Sequence, residues 1–129
     1  MNIGEVAKRS GVPTKTIRYY EEVGLIPAAS RTESGYRTYG DRDLATLRFV
    51  KRSRSLGFSV KDVSALLTLW HDRDRASAEV KSLAAAHVSR IDEKVAELIS
   101  IRDTLIHLME RCHGDERPDC PILDDLAMT

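Results

Sequence analysis

The sequence predicts a mostly α-helical fold with one small two-stranded β element, and three observations carry this prediction. Apolar residues recur at helical spacing in several segments, and capping residues and glycines bound those segments. A polar stretch containing Ser34 and Gly35 lies between two short β-prone segments. The last third of the chain carries a long apolar repeat, which is typical of a helix that pairs with another helix.

The first 24 residues predict two short helices joined by a tight turn. Asn2 is expected to cap the first helix, and Gly11 to end it. Thr14 is expected to cap a second helix from residue 15 to about residue 22, and Gly24 to end that one. Two short helices with a glycine in the turn between them predict a helix-turn-helix.

A small β wing and two further helices are expected next. Residues 25–27 and 36–39 flank the polar stretch and predict a two-stranded wing. Asp41 is expected to cap a third helix running to about Leu56, and Ser59 to open a fourth. The predicted core of this part of the chain is therefore built mainly between helices.

One long helix is predicted from Ala76 to Arg111, a length of roughly 54 Å at 1.5 Å per residue. Its apolar residues recur at spacings of four and three, with Arg102 the one break. A helix of that length cannot bury its apolar stripe against so small a domain, so a second copy of the chain is the expected cover. The members of the stripe are Ala84, Val88, Ile91, Val95, Leu98, Leu105 and Met109.

Charge is distributed unevenly along the chain of 129 residues, although the formal net charge is zero. Residues 1–60 carry 11 basic and 6 acidic residues, whereas residues 61–129 carry 9 and 14. A basic first half suggests a surface that faces a polyanion. No long apolar run predicts a membrane span or a leader, so we expect a cytoplasmic protein with no membrane partner.

Cations and tyrosines alternate on the second helix and on the wing, which suits a grooved polyanion and favours duplex DNA. Arg18 is the best candidate for a base edge, because its planar fork can bond guanine through two hydrogen bonds. An alternative is that the tyrosines belong to the core and the cations to a solvated face. The predicted DNA-contacting residues are Lys15, Arg18, Tyr19, Tyr20, Arg31, Tyr36 and Arg37.

Two cysteines, Cys112 and Cys120, lie near the end of the chain with seven residues between them. Two soft sulfurs favour a soft monovalent metal ion, copper(I) first. His113 could be a third ligand or an exposed loop residue. Unreactive thiols and a redox disulfide are the other interpretations of the pair. Because no base, nucleophile elbow or phosphate loop accompanies the cysteines, no enzyme is predicted.

The combination of motifs resembles the MerR family of transcription regulators over essentially the whole chain. The motifs are Asn2-Ile3-Gly4-Glu5-Val6-Ala7, Thr16-Ile17-Arg18-Tyr19-Tyr20-Glu21, Gly24-Leu25-Ile26, Gly35-Tyr36-Arg37-Thr38-Tyr39 and Leu56-Gly57-Phe58. The resemblance implies a homodimer with winged helix-turn-helix heads and an antiparallel helix pair. It also implies activation by distortion of a promoter whose spacer is too long for RNA polymerase.

The tail resembles the copper-efflux branch of that family, in which two cysteines bind copper(I), silver(I) or gold(I) in linear geometry. Ser77 stands where the divalent-metal sensors have cysteine, and Lys81, one turn later, could offset the negative charge of two thiolates. A zinc or mercury sensor is the alternative. We expect Ile122, Leu123 and Leu126 to act as the switch by docking near Trp70 or Leu67. The alternative is that these apolar residues only tether the tail.

Three segments are therefore expected. Residues 1–70 form a winged helix-turn-helix DNA-binding domain, and residues 71–111 form a linker and the long dimerisation helix. Residues 112–129 form the metal-binding loop and a short C-terminal helix.

Overall fold

The computed structural model describes residues 1–128, which form six helices and one antiparallel β hairpin. The elements are α1 (Ile3–Ser10), α2 (Thr14–Glu22), β1 (Ser30–Arg31), β2 (Arg37–Thr38), α3 (Asp41–Ser55), α4 (Val60–His71), α5 (Ser77–Arg111) and α6 (Pro121–Ala127). The predicted fold class is confirmed. No helix among the described residues is long and apolar enough to cross a membrane.

The chain divides into two compact units, Met1–Leu83 and Ala84–Thr129. The first unit, here called the head, extends beyond the boundary expected at residue 70, because Leu83 at the start of α5 packs against the head's core. The fully buried side chains come from α1, α2, α3 and α4, and they are Val6, Ile17, Leu47, Val50 and Val63. Helices therefore build the core, as the sequence predicts.

The helix-turn-helix forms where it is predicted, with one change at a helix cap. Asn2 caps α1, since its Oδ1 accepts a hydrogen bond from the Glu5 backbone N–H at 2.8 Å. Gly11 takes φ +74°, a left-handed conformation that favours glycine. The prediction that Thr14 caps α2 is wrong. Pro13 holds the cap position, because its carbonyl accepts the first helical hydrogen bond, from the Ile17 N–H at 3.0 Å, and Thr14 is the first helical residue.

The first strand of the wing lies later in the chain than predicted. Leu25 and Ile26 are buried in the head's core, and their backbone N–H groups both donate to the Tyr20 carbonyl at the end of α2. Those amides are therefore not available to a β ladder. The two strands instead pair Ser30 with Thr38 and Arg31 with Arg37.

Other helix ends agree closely with the sequence. Gly40, rather than Asp41, caps α3, and the Asp43 carboxylate accepts a hydrogen bond from the Gly40 N–H at 2.9 Å. Ser59 caps α4 as predicted, accepting from the Asp62 N–H at 3.1 Å. The long helix α5 begins one residue later than predicted and ends at Arg111. Its apolar seam from Ala84 to Met109 is exposed.

Candidate functional sites

Two faces of α2 have different surroundings. Ile17 and Tyr20 point into the head's core, whereas Lys15, Arg18 and Tyr19 are exposed. Residues at i, i+3 and i+4 share one face of a helix, so these three exposed side chains form one surface. That surface is the part of α2 available to a major groove.

The two adjacent tyrosines of α2 therefore differ. Tyr19 is 48% exposed, but Tyr20 is only 8% exposed and belongs to the core cluster. Their ring centroids lie 5.9 Å apart at an interplanar angle of 51°. The burial of Tyr20 favours the core role over the DNA contact that the sequence predicted.

The wing presents an aromatic side chain and two arginines. Tyr36 is 74% exposed at the tip of the hairpin. The Arg31 Nη1 donates to the Gly35 carbonyl at 2.8 Å, which holds the arginine against the turn. Arg37 faces Arg31 across the ladder. A wing that exposes one tyrosine and carries two arginines suits a sugar-phosphate backbone.

A buried carboxylate, which the sequence analysis missed, joins α2 to the wing. The Glu21 side chain is 8% exposed, and its Oε1 accepts a hydrogen bond from the Tyr39 hydroxyl at 2.5 Å. Its Oε2 lies 3.5 Å from the Arg37 Nη1. The spacing from Ile17 could have found it, because a residue four positions after a buried one lies on the same helical face.

The environment of the Tyr39 phenol changes its pKa. The pKa of Tyr39 is raised to about 12. Burial of the phenol is the largest cause, and the hydrogen bond to Glu21 and the negative charge of Glu21 add to it. The Tyr39 backbone N–H also donates to the Met1 carbonyl at 2.7 Å. The end of the wing is thus fixed to the start of α1 and to the last turn of α2.

The two cysteines occupy helix ends in the second unit, and both are free and half-buried. Cys112 directly follows α5, and its backbone N–H donates to the Met109 carbonyl at 3.1 Å. Cys120 is the N-cap residue of α6, with Pro121 at the first helical position. The partial positive charge of a helix N-terminus favours negative charge at the second sulfur.

The loop between the cysteines has its own internal bonds. Gly114 takes φ +65°, and the Asp115 carboxylate accepts from the Arg117 backbone N–H at 2.9 Å and from its Nε at 2.7 Å. His113 is exposed. Within residues 1–128, no group of three or more His, Cys, Asp or Glu side chains is placed to hold a metal ion.

Ser77 and Lys81 lie at the other end of α5 from Cys112, and both are exposed. Because α5 is one helix of 35 residues, about 51 Å separates its first residue from its last. The serine and lysine of one copy therefore cannot reach the cysteines that follow α5 in the same copy.

A small apolar cleft of about 150 Å³ opens on the head beside Trp70. The Phe49 and Trp70 rings stack within it at a centroid distance of 4.5 Å and an interplanar angle of 8°. Of the two docking positions suggested for the tail, Leu67 is buried in the core, so only Trp70 presents a surface. In the tail itself, Leu123 and Leu126 are exposed.

Comparisons with known proteins agree with this architecture. The model of the MerR HTH family regulatory proteins matches residues 1–69, and that of the MerR DNA-binding region matches residues 44–108. The heavy metal-dependent transcription regulator 2 of Rhizobium meliloti is 57% identical over 98% of this chain and 86% of its own length. The regulator CueR of Salmonella typhimurium is 42% identical over 98% and 92%.

Two solved structures of metal complexes are similar. The regulator PbrR691 of Ralstonia metallidurans, in complex with lead(II), has a TM-score of 0.86 and 31% identity, covering 98% of this chain and 99% of its own. MerR of Bacillus megaterium, in complex with mercury(II), has a TM-score of 0.75 and 33% identity, covering 99% and 100%.

Regulators of this family bind promoter DNA as dimers and contact RNA polymerase, and they are not enzymes. The family models together span most of the residues, and the Rhizobium meliloti regulator exceeds half identity over nearly the full length. The chain belongs to the MerR family of helix-turn-helix transcription regulators, and it is a metal-responsive, DNA-binding member of that family.

Proposed function

We propose that this cytoplasmic protein is a copper(I)-responsive activator that works as a homodimer with RNA polymerase on an overlong-spacer promoter. The observation that carries the copper proposal is the pair of free, half-buried thiols at Cys112 and Cys120. Two sulfur ligands suit a soft monovalent ion, whereas zinc prefers four ligands in a tetrahedron. Silver(I) and gold(I) share this preference and would bind to the same pair.

The charge of such a site needs compensation. Two thiolates and one monovalent cation leave a net charge of −1, which is costly to bury without a positive partner. In an antiparallel dimer, the start of one α5 lies near the end of the partner helix. Ser77 and Lys81 of one copy would then stand beside the cysteines of the other, and the ammonium of Lys81 would balance the thiolates.

The proposed output is a distortion of DNA. Lys15, Arg18 and Tyr19 would enter the major groove, while Arg31, Tyr36 and Arg37 hold the flanking backbone, and Tyr20 supports them from the core. Bending and twisting a short duplex costs about 1–6 kcal/mol, which phosphate contacts from two heads can offset. The metal then needs to supply only the difference between two states of the dimer.

The proposed switch is the apolar side of α6. Metal binding at Cys120 would fix the start of this helix and so present Ile122, Leu123 and Leu126 to an apolar surface. The cleft beside Trp70 has the matching chemistry. Ordering of the tail would in this way change the arrangement of the two DNA-binding heads in the dimer.

In vitro transcription from an overlong-spacer promoter, with and without copper(I), tests the proposal. We expect copper(I) to activate the wild-type protein, and the Cys112→Ser, Cys120→Ser double variant to bind the promoter without activating it. A response to copper(I) that survives in the double variant would overturn the assignment of this loop.

A second candidate is a sensor of a divalent metal, because the two similar metal complexes hold lead(II) and mercury(II). Titration in buffered free metal separates the two proposals. Saturation by copper(I) or silver(I) at a far lower free concentration than zinc(II), lead(II) or mercury(II) supports the first. The reverse order would favour the second.

A further inference from the structure

Five cations lie on α1 and α3 and belong neither to the exposed face of α2 nor to the wing. All five are exposed, and none lies within ion-pair distance of a carboxylate among residues 1–128. We call them the α1–α3 basic surface, and they are Lys8 and Arg9 on α1 and Arg48, Lys51 and Arg52 on α3.

Two contacts link α3 to the end of α1 and to the turn that follows it. The Arg48 Nη2 donates to the Arg9 carbonyl at 3.3 Å. The Lys51 side chain lies over the turn, since a Cβ atom at Gly11 would collide with its Nζ and lie 3.3 Å from its Cε. Like charges assembled in this way repel one another, so an anionic partner would stabilise the arrangement.

The position of Lys51 indicates which anion. Gly11 is followed by Val12 and Pro13, and α2 begins at Thr14. A recognition helix reads base edges with its N-terminal residues, so the turn just before it stands at the rim of the groove. Phosphates line that rim, and a lysine over the turn therefore lies beside the DNA backbone.

We propose that the α1–α3 basic surface binds the phosphate backbone beside the groove that α2 enters. The contact is electrostatic and independent of sequence, because ammonium and guanidinium groups on this surface meet phosphates and not base edges. It strengthens binding to every duplex and leaves the choice of operator to α2 and the wing. Metal is not involved in this step.

The test measures affinity for a short duplex of scrambled sequence over a series of salt concentrations, without metal. Lys51→Gln and Arg52→Gln should each weaken binding and make the plot of log K against log salt less steep. The slope should fall by about 0.9 for each phosphate that is no longer neutralised, or by twice that in a dimer. Lys51→Arg keeps the charge and should retain the wild-type slope.

Lys94→Gln is the matched control, because Lys94 is an exposed cation in the middle of α5. Its slope should equal that of the wild type. Thermal melting identifies variants that fail to fold; Arg52→Gln keeps the proposal testable if replacement of Lys51 disturbs the turn at Gly11.

Slopes for Lys51→Gln and Arg52→Gln that match the Lys94→Gln slope would overturn the proposal. If those same variants had weaker affinity for polyglutamate instead, the surface would belong to an acidic protein partner. Because no metal is used, failure here is distinct from failure of the copper proposal.

Discussion

Glu21 is a carboxylate in the part of the molecule that must approach phosphates, where a negative charge is unfavourable unless it is neutralised. Arg37 lies 3.5 Å from one of its oxygens and the Tyr39 hydroxyl bonds the other. The charge of the carboxylate is therefore compensated inside the protein, and Glu21 holds the second wing strand against α2. We expect the spacing between recognition helix and wing to depend on this one residue.

Replacing Glu21 tests that role. Glu21→Ala leaves the buried Tyr39 hydroxyl without its acceptor, and we expect a decrease of about 1–3 kcal/mol in the free energy of unfolding. Glu21→Gln keeps an acceptor and should cost less. Urea denaturation measures both, with the exposed neighbour Glu22→Ala as the control. Equal stabilities of Glu21→Ala and Glu22→Ala would contradict the assignment.

The raised pKa of Tyr39 gives a prediction about alkaline pH. Its pKa is about 12 in the folded protein and about 10 in the unfolded chain. The stabilisation from the neutral phenol is therefore fully present below pH 10 and is lost as the pH rises toward 12, by about 3 kcal/mol in all.

The stability difference between wild type and Tyr39→Phe should accordingly shrink across that window, as followed by denaturation at several alkaline pH values. Tyr36→Phe is the control, since that ring is exposed at the wing tip. A difference that stays constant from pH 9 to pH 12 would show that Tyr39 titrates at its ordinary pKa.

At the scale of elements, the exposed apolar seam of α5 is the clearest indication of a dimer interface. Along the part of α5 beyond Leu83, His87 and Leu108 are the only buried residues described, while the apolar seam faces outward. Leu98, in the middle of the seam, is 63% exposed. An apolar stripe of this length, open along one helix, is the surface that a second copy would bury.

Leu98→Asp should therefore abolish dimer formation at micromolar concentration, because it places a charge in the centre of the proposed interface. Sedimentation equilibrium measures the change. Ser100→Asp adds the same charge to α5 off the seam and should leave the dimer intact. A Leu98→Asp protein with the mass of a dimer would exclude the seam as the interface.

The helices could be predicted from sequence because their signals are local. Asn2, Ser59 and Gly11 act within one turn of their own position, and the structure confirms their roles. The first strand of the wing was predicted less accurately than the helices, because Leu25 and Ile26 have the composition of a strand. The burial of these two residues and their hydrogen bonds to the Tyr20 carbonyl depend on tertiary packing in the head.

Some residues of the candidate sites could also be predicted from local sequence, and others could not. The exposed face of α2 follows from helical periodicity, and the cysteines are visible as residue types. Tyr19 and Tyr20 are both tyrosines, but Tyr20 lies three positions after the buried Ile17 and packs in the core, whereas Tyr19 is exposed. Glu21 was missed because its partners lie 16 and 18 residues later in the chain.

At the scale of the whole molecule, the role proposed for Lys81 requires two copies for each metal site, because α5 separates Lys81 from the cysteines of its own copy. Lys81→Met should weaken copper(I) binding, because it removes the charge proposed to balance the thiolates. A mixed dimer should restore tight binding if one chain carries Lys81→Met and the other carries Cys112→Ser with Cys120→Ser. One of its two sites would then combine intact cysteines with an intact lysine.

Competition with a copper(I) chelator measures the affinities of the three dimers. We expect the mixed dimer to hold one ion as tightly as the wild type and the Lys81→Met homodimer to hold both more weakly. A Lys81→Met homodimer with wild-type affinity would remove Lys81 from the site. A mixed dimer no tighter than Lys81→Met would show that the partner's lysine does not contribute.

The helix α5 contains neither glycine nor proline along its 35 residues. It therefore lacks the residues at which helices most often bend. Each inserted residue would turn everything beyond it by about 100°, whereas seven would restore the phase to within about 20°. The number of residues in α5 thus sets the helical phase between its first and last turns. Natural variants that differ in the length of α5 should therefore differ by whole heptads.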